Sequence, residues 1–324
     1  MRRRTFMVGL GCTVAFPLPM RAQQSTLPVV GFLRSTGAAS FDNYVTAFRR
    51  GLEEAGFVEG KSVLVEYRYA DNQFDRLPVL ADELIQRPAS VIVGDTVAVI
   101  ALKGRTTTVP LVFSTGGDPV AAGLVASLSR PGGNVTGVVF FGTSLGAKRL
   151  ELLRQVAPKA TTIAVLINRS NPNAEAELLD VQAAAQTMGQ QLVIGEANRP
   201  SDIDAAFETF AERGAGAVLP GGGAFMNANR KQIAALAARY RLPSMFVVRE
   251  AALDGGLIAY GPSVPAAYHQ VGLSAGRILK GEKPADLPVI RSTTYEFVVN
   301  LKTARTLGLD IPDLLLAQAD EVIE

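Results

Sequence analysis

The 324-residue sequence contains one cysteine, one histidine and no tryptophan. Cys12 lies in the first 22 residues, so the rest of the chain has no disulfide, thiolate nucleophile or cysteine metal ligand. With His269 as the single imidazole, only carboxylates and hydroxyls are left for metal or nucleophilic chemistry. No G-x-G-x-x-G loop follows a strand-like run, and Gly221-Gly222-Gly223 lacks the spacing and lysine of a phosphate loop. Those glycines read either as a flexible loop open to a ligand or as a plain turn. Beyond the first 22 residues long basic runs are missing too. Four arginines and no acid fall in the first 22 residues, which leaves a net charge of −2 on the rest and no electrostatic footprint for nucleic acid. No apolar stretch reaches the roughly 20 residues needed to span a bilayer.

The N-terminus has the three parts of an export signal: Arg2-Arg3-Arg4, an apolar stretch from Phe6 to Leu18, and a polar end at Arg21-Ala22-Gln23. Cleavage is expected after Ala22, which makes residues 1–22 a signal peptide and the periplasm the destination. Arg3-Arg4-Thr5-Phe6 fits a twin-arginine core; a general secretory signal beginning with arginines is the alternative. Leu10-Gly11-Cys12 is a poor acylation site because glycine stands where an aliphatic residue is wanted.

Beyond the signal, strand-like and helix-like patterns alternate. Pro28 to Leu33, Val63 to Tyr69, Ser90 to Val93, Val109 to Phe113 and Val135 to Phe140 read as strands. Phe41 to Ala55, Phe74 to Gln86 and Thr96 to Lys103 read as helices, and Val120 to Leu128 as a short amphipathic one. The pattern then restarts, with helices at Ser144 to Val156, Ala174 to Met188, Asp202 to Glu212 (capped by Ser201) and Asn227 to Tyr240. Its strands are Thr162 to Asn168, Gln191 to Ile194, Ala217 to Leu219, Pro243 to Val247 and Gly256 to Tyr260. A helix from Val264 to Lys280 and a strand from Thr294 to Val299 follow. Two successive α/β halves in a chain of this length predict two Rossmann-like lobes with a ligand cleft between them. Gly272-Leu273-Ser274-Ala275-Gly276 fits the G-x-S-x-G pattern of hydrolases, but it lies in helical periodicity and not at a strand-to-helix turn. It reads as a small-residue helix-packing seam, and His269 as a solvated or capping side chain.

Ligands of open α/β sheets bind beyond the carboxyl ends of the strands. In the first half those positions offer Ser35 and Thr36, then Asp95 and Thr96, then Ser114, Thr115 and Asp118. Hydroxyls and helix-starting amides there suit a carboxylate. Asp95 and Asp118 are placed either to face an ammonium or to cap the helix that follows. The second half offers Asn168, Gly222 and Tyr260. Phe113, Phe140, Phe141, Phe225 and Phe246 lie near the same rim, and core packing has first claim on most of them.

The stretch Asp118-Pro119-Val120, Gly123-Leu124-Val125, Ser127-Leu128, Arg130-Pro131-Gly132-Gly133-Asn134, Thr136-Gly137-Val138 closely resembles the signature of the ABC-transporter substrate-binding family. Val29 to Leu33 and the ending from Tyr295 to Ile323 resemble the family as well. The resemblance implies a type I periplasmic-binding-protein-like fold whose late elements cross back between lobes. Lobe I would then hold residues 28–138 plus about 263–289, and lobe II about 139–262 plus about 290–324. It places Asn171, in an Asn-Pro loop, at the cleft. It also implies an exported solute-binding protein, not an enzyme, that needs no cofactor or metal. Such a protein binds an amino acid or aromatic acid by hinge closure and hands it to an ABC permease with its ATPase. A sensory or regulatory domain of the same fold is the alternative, and an extracytoplasmic enzyme a more distant one.

Overall fold

The computed structural model describes residues 27–38, 42–141 and 145–324. The expected signal segment with Cys12, and the positions Ser40, Phe41 and Ser144, lie outside them.

The first part of the chain runs β1 (Val29–Arg34), α1 (Asp42–Glu54), β2 (Leu64–Tyr69), α2 (Leu77–Gln86), β3 (Val91–Asp95), α3 (Thr96–Lys103), β4 (Leu111–Thr115) and β5 (Val135–Val139). The second part runs α4 (Gly146–Val156), β6 (Thr162–Ile167), α5 (Ala174–Met188), β7 (Gln191–Glu196), α6 (Pro200–Glu212), β8 (Ala217–Pro220), α7 (Ala224–Ala228), α8 (Arg230–Arg239), β9 (Met245–Phe246), α9 (Arg249–Leu253) and β10 (Ile258–Pro262). Then come α10 (Val264–Leu279), β11 (Ile290–Arg291), β12 (Tyr295–Asn300), α11 (Leu301–Leu307), α12 (Asp313–Gln318) and β13 (Glu321–Ile323).

Among the described residues the strands gather into two layers, one a single sheet and the other two sheets linked by a bridge, the two-lobed α/β architecture that the alternation predicts. The first has the order β11-β5-β4-β3-β1-β2 with every pair parallel. The second joins β7-β6-β8 to β9-β10-β12-β13 through a bridge between Val218 and Ser244. Only its β10–β12 pair is antiparallel. Parallel strands covered on both faces read as unbroken apolar runs, and alternate residues serve opposite faces. Val91 and Val93 pack on the side of α1 and α10, while Ile92 packs on the side of α2 and α3.

The chain crosses between lobes after β5, after β10 and after β11. β11 pairs with β5, so residues 290–291 stay with the first sheet and the last crossing falls at 292–294. α10 lies along α1 and against β3, β4 and β5. The two helices approach closely because Gly272 and Gly276 of α10 and Gly51 of α1 face each other. A Cβ at Gly272 would stand 2.2 Å from the Phe48 carbonyl oxygen, and one at Gly276 2.2 Å from the Ala55 Cβ. The hydrolase-like pentapeptide is therefore a packing seam. His269 pairs at the surface with Glu54 (3.0 Å).

Three local expectations differ. Val120 to Leu128 forms successive turns and no helix; Gly123 at φ +67° breaks the periodicity, although Leu124 and Val125 are buried as an amphipathic segment requires. The helix expected from Asn227 to Tyr240 is split at Asn229, so Asn227 belongs to the short α7. α6 starts at Pro200, and its cap comes from Asp202, which accepts from the amides of Asn198 and Arg199, with Ser201 already inside the helix. Among the described residues no helix is long and apolar enough to cross a membrane, and no cluster of His, Cys, Asp or Glu could hold a metal ion.

Candidate ligand-binding cleft

The carboxyl ends of β1, β3 and β4 face those of β6, β8 and β9 across a cavity of about 100 Å³. Of the residues singled out from sequence, Ser35, Asp95, Thr96 and Ser114 line it from the first lobe. Asn168, Asn171 and Gly222 line it from the second. Four others sit elsewhere. Thr36 is fully buried and does not line the cavity. Thr115 turns inward, accepting from the Thr96 hydroxyl (2.9 Å) and the Gly117 amide (3.2 Å). Asp118 caps the following turn through the amides of Val120 (2.8 Å) and Ala121 (3.3 Å), beside a separate hollow. Tyr260 packs edge-on against Phe297, with ring centroids 5.9 Å apart.

The first-lobe wall is knit together by Asp95. Its Oδ2 accepts from the amide and hydroxyl of Ser35 (2.9 and 2.8 Å), and its Oδ1 caps α3 through the Ala98 amide (3.1 Å). Arg34 Nε lies 3.5 Å from Oδ2. With its lone pairs so engaged, Asp95 is a cap and an anchor for Arg34, and it is poorly disposed to receive a ligand ammonium. Arg34 is 3% exposed, donates to the Tyr268 hydroxyl and has its guanidinium 5.4 Å from that ring's centroid. Burial lowers its pKa from the ordinary arginine value, and the Asp95 charge opposes the shift. The Tyr268 ring stacks on Tyr44 at 5.7 Å and 10°.

The second-lobe wall is the loop Pro220-Gly221-Gly222-Gly223. Behind it lies a fully buried ion pair, Arg149 with Glu177 (2.5 Å). Arg149 also donates to the Pro220 carbonyl (2.9 Å), and both Glu177 oxygens accept from the Gly222 amide (3.0 and 2.9 Å). Asn171 reaches the same loop from the cavity side, donating to the Gly222 carbonyl (3.3 Å). Gly223 has φ +109°, and a Cβ there would stand 2.7 Å from Asn171 Nδ2, so glycine is required.

The lobes touch on both sides of the cavity. On one side a Cβ on Gly117 would lie 1.8 Å from Asn173 Oδ1. On the other, Asn43 donates to Glu250 (2.6 Å), and Asn227 donates to the Tyr44 hydroxyl (2.9 Å). Burial, with the Glu250 carboxylate adding to it, pushes the Tyr44 phenol well above its usual pKa, so the hydroxyl keeps its proton. Sequence reasoning missed Tyr44, Tyr268 and Asn227. Tyr44 and Tyr268 lie within the helices expected from Phe41 to Ala55 and from Val264 to Lys280, and Asn227 stands at the start of another, so local pattern marks none of them for a ligand.

Comparison with known proteins places this architecture. The chain is 23% identical over 281 residues to a tyrosine-binding protein of Clostridioides difficile strain R20291, covering 86% of this chain and 81% of the relative. Its fold matches that of an ABC domain from Streptococcus pneumonia in complex with L-Trp (TM-score 0.84, 24% identity, 92% of this chain and 100% of that one). A ligand-free, open substrate-binding protein with adhesive properties from Clostridium difficile matches over the same share of this chain and 99% of its own, at 22% identity but a TM-score of 0.62. The family model described as ABC transporter substrate binding protein matches residues 30–323, and the chain belongs to that family.

Proposed function

We propose that the protein is exported and serves an ABC importer by closing on an amino acid or a related aromatic acid. One observation carries this reading: a cavity between the lobes, walled on one side by Arg34 and Tyr268 and on the other by Arg230, Phe225 and Phe246. Guanidinium groups and loop amides suit a carboxylate, and aromatic walls suit a flat or apolar side chain. The relatives named for tyrosine binding and complexed with L-Trp favour the same ligand class. At equal coverage the backbone follows the L-Trp complex better than the open, ligand-free relative, in keeping with a closed arrangement. Hinge closure gives the transporter a difference to read, because only the closed form presents both lobes in one fixed relation.

A thermal-shift panel containing L-tyrosine, L-tryptophan and aromatic acids tests the ligand. A binding compound at a hundredfold excess over its dissociation constant should stabilise the protein by about 2.7 kcal/mol and be recovered unchanged. Consumption of the compound, or no stabilisation across the panel, would refute the reading. Export is tested separately by sequencing the N-terminus of the protein from the periplasm, where Gln23 is the expected first residue.

A further inference from the structure

Four polar side chains from the two lobes meet at one edge of the cavity. Asn43 and Tyr44 stand in the first turn of α1, Asn227 lies in α7, and Glu250 lies in the first turn of α9. Asn43 Nδ2 donates to Glu250 Oε1 (2.6 Å). The Tyr44 hydroxyl accepts from Asn227 Nδ2 (2.9 Å) and lies within electrostatic reach of the Glu250 carboxylate. Each of these bonds runs from one lobe to the other. The Nδ2 end of the Asn227 amide faces Tyr44. Its Oδ1 is then buried without a hydrogen-bond partner, although Asn227 lines the cavity and is only 9% exposed. A buried acceptor left unpaired is unfavourable until a donor reaches it.

We infer that Asn43, Tyr44, Glu250 and Asn227 form a latch between the lobes, and that Asn227 Oδ1 is the acceptor that an N–H or O–H of the bound solute satisfies. The inference rests on the proposal that the cavity takes a solute. When the lobes part, Tyr44 and Asn43 leave their partners, and water reaches the Asn227 amide. Closing removes that water and fixes the amide, so a solute with a donor at this point restores the lost bond. A solute without one leaves the acceptor orphaned, which makes Asn227 a specificity-determining residue. Tyr44 does not line the cavity. It is a positioning residue, held from behind by its stack on Tyr268.

Three variants of the full chain test this. Tyr44→Phe keeps the stacked ring and removes the hydroxyl. Asn43→Ala, at an exposed position, removes the other latch bond without risk to folding. Asn227→Leu removes the acceptor. Small-angle scattering without ligand should give a larger radius of gyration for Tyr44→Phe and Asn43→Ala than for the wild type. Calorimetry with L-tyrosine and L-tryptophan should show about tenfold weaker binding for Tyr44→Phe and Asn227→Leu, the loss expected from one hydrogen bond, with faster release. Equal radii in the wild type and both latch variants overturn the latch whatever the ligand. Undiminished binding by Asn227→Leu overturns the acceptor role. If neither amino acid binds the wild type, the acceptor role falls with the ligand reading, and the latch is decided by the radii alone.

Discussion

Gly272→Ala is expected to destabilise the protein by about 3 kcal/mol, the upper end of what overpacking a tight interior costs. The sign is the informative part. In an exposed helix interior the same change is favourable by up to about 1 kcal/mol, because alanine restricts the unfolded chain and suits the helix. Here a Cβ would meet backbone atoms: 2.2 Å from the Phe48 carbonyl oxygen and 2.8 Å from the Leu52 amide nitrogen. Backbone cannot swing aside as a side-chain tip can, so α10 and α1 must separate, and α10 also covers β3, β4 and β5. Gly104 provides the control. It caps α3 at φ −72°, and the nearest atom to a Cβ there is 3.6 Å away. Gly104→Ala should therefore stabilise by about 0.4 to 1 kcal/mol. Urea unfolding of both variants decides the matter. Two variants of the same sign would mean that the interhelical contact does not control the effect.

Glu177→Ala is expected to cost about 3 to 5 kcal/mol, the range for removing one partner of a buried ion pair. It leaves the Arg149 guanidinium, 0% exposed, without its counter-charge and strips the Gly222 amide of both acceptors. The double variant Arg149→Met with Glu177→Leu should recover most of that loss, since apolar groups of similar volume can replace a buried pair at little or no cost. Its effect on binding should persist. The Pro220 carbonyl and Gly222 amide lose their anchors, and these residues are the second-lobe wall of the cavity. Denaturation curves read the first effect and calorimetry with an identified ligand the second. A double variant with wild-type stability and wild-type affinity would mean that the pair does not position the loop.

The frame was legible because both sheets are buried on two faces. Val91 to Val93 or Thr162 to Ile167 can then be read as strands without knowing their neighbours. Strand ends were legible for the same reason: the apolar run stops where Arg34, Asp95 and Ser114 begin, and those positions reach one rim of a parallel sheet. Val120 to Leu128 misled because burial of Leu124 and Val125 imitates helical periodicity within a series of turns. Asp118 and Tyr260 misled differently. Their residue types suit a ligand, but one is occupied by its own backbone turn and the other packs with Phe297.

By itself, then, the sequence determined the alternation of elements, the two-lobed class and the rim of strand ends that lines the cavity, because these follow from apolar periodicity and chain direction. It also carried the family likeness. Only the tertiary structure decided which side chains from the two lobes face one another. Tyr44 and Asn227 are 183 positions apart, and each looks like an ordinary helix residue until the fold brings them to 2.9 Å. Local pattern records what a residue buries against its own element. The partner across a cleft is set by how the two lobes meet, and no local period encodes that.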